Sequence, residues 1–288
     1  MNALPHSRLA VPLRWLAALL LASLALLAPG CCLFRRPPPP PPLPAEKVIE
    51  AVRAQSEAFH TLKDTDISLV VTTTADGKAE RSPTLGGVIA FNADLPGLWL
   101  YTQKVTRAVF TLSALRDRFW LALEKTCELV VGSAAAYDKL PHLVRPEEVQ
   151  GFFAGPDWLG LTWPSTTMSV EPEDYRFDVY LDGSLRRQVF VDRRKVAISR
   201  IRRYDALGQA VTDIYLQDHE KADGGVFPHR LIVRRPLNGV EVELELDDPK
   251  LNVDLPPEMF VPPERPGWKV INLDYEPLSA VEAFRAEE

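Results

Sequence analysis

With 288 residues, 46% of them hydrophobic and 25% charged, the chain has the make-up of a folded globular protein and not of a disordered one. A formal net charge of -6 excludes a general nucleic-acid binder, which needs a basic excess. Three cysteines are too few for a disulfide-built scaffold of this length, so the fold is expected to rest on its core.

The first thirty residues differ from the rest. Arg8 and Arg14 precede an apolar run from Trp15 to Ala28, and no acid occurs in the segment. This is the outline of a secretory signal. Fourteen residues at 1.5 Å rise span about 21 Å, short of the roughly 30 Å hydrocarbon core, so a permanent span is the weaker reading. The run ends in Leu27-Ala28-Pro29-Gly30-Cys31-Cys32, which resembles the lipobox of bacterial lipoprotein precursors. That resemblance implies an acylated Cys31 as the first mature residue, anchoring the chain to a membrane. Ala28 stands where the motif most often has leucine, which leaves cleavage without lipid as the alternative, and Cys32 is a second acceptor.

Six prolines, Pro37 to Pro42, follow Arg35 and Arg36. Lacking amide donors, they read as a polyproline II spacer of roughly 19 Å, at ~3.1 Å per residue. The expected organisation is a signal peptide over 1–30, a lipidated tether over 31–44, a folded domain over 45–275 and a tail over 276–288.

From Pro44 the pattern is helical to about His60, with Val48, Val52, Phe59 and Leu62 near one face and charges largely elsewhere. Strands are expected at 67–74, 82–91, 98–102, 107–112, 119–123 and 128–131. Asp76-Gly77 and the 124–127 segment lie at hairpin distance. A bridge then combines a short helix over 146–153 with Trp158 and Trp163 in irregular surroundings. A second block of strands is expected at 175–181, 188–191, 196–204, 210–216, 227–234 and 240–246. In the last, Val240, Val242, Leu244 and Leu246 alternate with Glu241, Glu243 and Glu245, one dry face and one wet. Connections this short exclude parallel crossovers. The fold class is therefore mainly β with few helices: one curved antiparallel sheet or barrel around a helix, with a two-domain split near residue 165 as the fallback.

The end of the chain carries Leu251-Asn252, Leu255-Pro256, Met259-Phe260, Pro263, Pro266-Gly267 and Lys269-Val270 after an alternating strand. A hairpin joins Arg118-Phe119-Trp120-Leu121-Ala122-Leu123 to Glu128-Leu129-Val130-Val131-Gly132. With the opening helix and the interrupted meander, these features over residues 45–275 resemble the LolA/LolB-like superfamily of lipoprotein carriers and receptors. The resemblance implies an open, strongly curved half-barrel with the N-terminal helix across its concave side. It also implies a hydrophobic ligand or lipoprotein acyl chain on that face, and a place in the cell envelope, on the outer membrane facing the periplasm. The receptor member uses a leucine protruding from a loop; the matching loop here carries Val105.

An acyl chain gains about 0.8 kcal/mol per methylene removed from water. Candidate cavity-lining residues are Trp99, Tyr101, Phe110, Leu112, Phe119, Leu121, Phe177 and Val179, with Phe152, Phe153, Trp158 and Trp163 as a lid; an ordinary core is the alternative for each. The five histidines are scattered, no nucleophile elbow or phosphate loop occurs, and the chain is read as no enzyme, without metal or cofactor. Asp213, Asp218, Glu220 and Asp223 read as a solvated turn. Nine basic residues against three acids between 176 and 203 suggest a patch, represented by Arg193, Arg194 and Arg202, facing lipid phosphates or an envelope protein partner. Solvated strand edges explain them equally well.

Overall fold

The computed structural model describes residues 38–262 and 264–277; the signal segment, Cys31, Cys32 and the residues from 278 onward lie outside them. Pro44, in extended conformation, precedes helix α1 (Ala45–Ala58), which buries Val48 and Val52, one turn apart. Phe59 returns to β conformation and ends the helix.

The first meander follows: β1 (Thr61–Ala75), β2 (Lys78–Arg81), β3 (Leu85–Asn92), β4 (Gly97–Lys104), β5 (Arg107–Leu115), β6 (Arg118–Leu123) and β7 (Glu128–Ser133). The strand expected at 82–91 begins only at Leu85, past Pro83, which supplies no ladder donor, and β2 before it lies outside the expected range. β1 starts earlier than expected, running through a bulge between Asp64 and Ile67. The Asp76-Gly77 turn is left-handed at both residues, as a two-residue hairpin loop requires.

A bridging segment comprises a 3-10 turn (Ala134–Lys139), α2 (Pro146–Val149), a second 3-10 turn (Gln150–Phe153) and α3 (Pro156–Leu159). The second meander consists of β8 (Thr167–Val170), β9 (Asp174–Leu181), β10 (Ser184–Asp192), β11 (Ala197–Tyr204), β12 (Ala210–Ala222), β13 (Gly225–Arg235) and β14 (Val240–Leu246). The short β15 (Lys250–Leu251) and β16 (Lys269–Asn272) follow. The acidic stretch expected as a turn is instead the continuation of β12, with Asp218 and Glu220 on the strand and the turn only at Asp223-Gly224.

All sixteen strands form one sheet with a main path β16-β7-β6-β5-β4-β3-β1-β14-β13-β12-β11-β10-β9-β8. The junction is the antiparallel β1–β14 ladder, from Ile67 opposite Leu246 to Thr73 opposite Val240, which joins the two meanders across the middle and displaces the two-domain alternative. The sheet is curved and open, a half-barrel with β16 and β8 as its free edges. One pair departs from the antiparallel expectation. β16 lies parallel to β7, reached by the connection from residue 252 to 268, which is long enough to cross over.

One face of this sheet is covered by α1 and the bridge. There Ile67, Ile89, Phe91, Leu98, Leu100, Leu112, Val189, Ile201 and Leu244 meet Val48, Val52, Tyr137, Leu140 and Leu159 in one apolar core. Each large apolar side chain so buried contributes about 1.5–3 kcal/mol. The opposite face is polar over β10–β14, with Glu241 bonded to Arg234 and Glu243 to Arg230. Over β3 and β4 it carries a small separate cluster of Ala90, Leu255 and Phe260.

Candidate functional site

The covered, concave face is where the expected lining residues should meet. Leu112, Phe119, Leu121, Phe177 and Val179 do so, all essentially without solvent exposure. Phe110, in phase with Leu112 on β5, packs at the margin of the same core. Trp99 and Tyr101 do not belong to this face. Leu98, Leu100 and Thr102 of β4 point into the core, so alternation sends Trp99 and Tyr101 outward. There Trp99 packs beside Leu255 and Phe260. Their size suggested a pocket, but their parity decides against it.

The four aromatic residues expected as a lid divide into two pairs. Phe152 and Phe153 lie deep in the core: Phe153 stacks on Phe91 with centroids 5.3 Å apart and Phe152 on Phe227 at 5.4 Å, while Phe59 meets Phe227 edge-on at 5.5 Å. Trp158 and Trp163 lie at the rim, 39% and 40% exposed, with the guanidinium of Arg187 4.9 Å above the Trp158 ring. The bridge is thus a plug. Between it, α1 and strands β11–β13 lies a cavity of about 20 Å³, lined in part by Val52, Phe59, Phe152, Ile198 and His219. That volume suits a single water, not an acyl chain. Between α1, the bridge and β11–β13 the chain's own side chains therefore fill the face.

The plug is fastened by a buried ion pair that sequence reasoning missed. Arg235, at the end of β13, is 2% exposed, and its Nη2 donates to Glu148 Oε1 at 2.5 Å and Oε2 at 2.6 Å. It also donates to the carbonyls of Pro141 and Leu143, at 2.5 and 2.9 Å. Glu148 Oε2 accepts from the Arg145 amide at 2.9 Å, capping α2. Burial pushes the Glu148 carboxyl above the usual carboxylate range, and the Arg235 charge opposes that shift. One signal was available: Arg235 falls in phase with Leu231 and Val233, an arginine at an inward position.

His219, on the cavity wall, places Nε2 3.0 Å from the Ile198 carbonyl oxygen. Burial, then the charge of Lys195, holds its pKa below the ordinary histidine value. Among the described residues no group of histidine, cysteine, aspartate and glutamate side chains is arranged to hold a metal. Val105 is 88% exposed at the tip of the β4–β5 turn, in the left-handed region at φ 60°.

The three arginines expected to form a free basic patch are each engaged within the chain. Arg193 is buried and donates to the carbonyls of Glu171 and Pro172. Arg194 pairs with Glu173 at 3.3 Å. Arg202 shares the buried Asp213 with Arg200, at 2.7 and 2.5 Å. Arg194 and Arg202 find their acids in a turn and on another strand, which a linear count does not see.

No protein-family model matches the sequence, and no curated protein does. Solved structures resemble the fold. A DUF1329 family protein from Desulfovibrio piger superposes with a TM-score of 0.52 at 16% identity, over 75% of this chain and 97% of that one. A LolA superfamily protein from Nitrosomonas europaea gives 0.47 at 12% identity, over 77% and 99%. A domain assigned to outer membrane lipoprotein sorting from Vibrio parahaemolyticus gives 0.47 at 12%, over 76% and 97%. At these identities the likeness is one of fold alone, carried by the Desulfovibrio piger structure; this chain's sheet is an open half-barrel plugged by its own bridge.

Proposed function

We propose that this protein is a non-catalytic lipoprotein of the cell envelope, held by acylated Cys31 on the outer membrane facing the periplasm, whose concave face takes up a hydrophobic ligand or the acyl part of another lipoprotein. The observation that carries this reading is the plug. Beside α1, the apolar concave face of an open sheet is covered by two four-residue helices and two 3-10 turns, elements too short to be stable alone. Such a cover holds by side-chain packing and the Arg235–Glu148 fastening, and an apolar chain offers the sheet the same kind of surface in exchange. Since the space between α1, the bridge and β11–β13 holds about one water, uptake along that part of the face requires the plug to withdraw. The alternative, a scaffold that captures a partner through Arg193, Arg194 and Arg202, is disfavoured by their internal pairing.

The full chain, extracted from membranes in mild detergent, should carry an apolar adduct in native mass spectrometry that organic extraction removes. Cys31→Ser should abolish palmitate incorporation and release the chain from the membrane. An adduct-free protein whose bridge keeps its hydrogen-exchange protection when lipid is added would overturn the ligand reading. Loss of the anchor alone would not.

A further inference from the structure

At one end of the concave face two arginines stand without a carboxylate. Arg187 of β10 follows the phase of Val189 and Val191, and Arg203 of β11 that of Ile201, so both point to the covered side. They are direct cross-strand neighbours. Like charges so placed destabilise a sheet, and neither guanidinium has an acidic partner among the described residues. A bulge at Arg186, between Leu185 and Arg187, sets this orientation. Burial, then the charge of Arg203, pushes Arg187 down to about 10, so it remains cationic at neutral pH. Its guanidinium donates to the Trp158 backbone carbonyl, at 2.6 Å, on the plug. Beside Arg203 opens a cleft of about 410 Å³, lined also by Arg145, Thr212 and Arg235 and by the carboxylates Asp138 and Glu147. Arg145 and Arg235 are already committed to Asp138 and Glu148.

We infer that Arg187 and Arg203 are the anion-recognition end of the concave face, binding the phosphate or carboxylate of an amphiphile whose apolar chain replaces the plug. The inference rests on the ligand reading above and adds the headgroup class. Two uncompensated guanidiniums on one face match an oxyanion, which accepts several charge-assisted hydrogen bonds at once. Withdrawal of α3 would also remove the Trp158 carbonyl, leaving Arg187 in need of an acceptor as the chain enters.

The test compares three probes on the full protein in mild detergent: palmitoyl lysophosphatidate, the uncharged monopalmitoylglycerol and inorganic phosphate. The wild type should bind the lysophosphatidate about tenfold or more tightly than the monoacylglycerol. The R187Q/R203Q variant should bind both equally. Equal wild-type affinities, or a preference that survives in the variant, would overturn the inference while leaving apolar uptake intact. Phosphate binding that the variant loses, without binding of either lipid, would support the anion site and sink the apolar reading. Binding of none of the three would sink both.

Discussion

Removing Glu148 tests whether the plug is a separable cover. In Glu148→Ala the guanidinium of Arg235, 2% exposed, keeps its two carbonyl acceptors but loses the carboxylate it is ion-paired with. Breaking a buried pair from one side costs about 3–5 kcal/mol. At about 1.4 kcal/mol per tenfold, that raises the opening equilibrium of whatever the pair holds shut by roughly two to three and a half powers of ten. If the bridge opens as its own unit, the loss should concentrate there. Hydrogen exchange of residues 134–164 should accelerate by that factor, with the β1–β14 ladder changing far less. The double variant Glu148→Leu with Arg235→Met, which exchanges both charges for apolar groups, should recover most of the protection. A single variant that costs under about 1 kcal/mol, or one that loosens bridge and sheet equally, would refute the idea of a fastened, removable cover.

Two further outcomes follow from the geometry. His219 has a depressed pKa in the folded state, so the unfolded chain takes its proton more readily; the stability it contributes is full above about pH 6.5 and is lost as pH falls through that value. Urea unfolding at pH 7.5 and 5.5 should show a larger drop for the wild type than for His219→Gln, and equal drops would remove His219 from the account. Trp99→Ser should speed exchange in residues 253–260, against which the indole packs, while leaving lipid capture unchanged. Impaired capture would return Trp99 to the concave face.

Much of the architecture was legible because it rests on short-range signals. The alternation of Val240, Val242, Leu244 and Leu246 with three glutamates told both faces of β14, and Asp76-Gly77 told a hairpin. The same alternation, applied to β4, would have turned Trp99 and Tyr101 outward; side-chain size was weighed where parity should have been. Arg187, Arg203 and Arg235 were equally readable as inward charges, each in step with apolar neighbours on its own strand.

Other features depend on residues far apart along the chain. Arg235 finds Glu148 across 87 positions, Asp213 neutralises Arg200 and Arg202 from another strand, and β1 closes against β14. Whether the concave side is hollow was also beyond the reach of periodicity. Strand phase marks a surface as apolar; only the packing of α1 and the bridge decides what covers it, since burial is a sum over every element that reaches the same space. The sequence by itself therefore determined the faces, the turns and the open β-rich plan, which are set by neighbours two to four residues apart. The tertiary structure alone decided the plug, its fastening and the two unpaired arginines, because charge balance and cavity volume are properties of what converges in three dimensions.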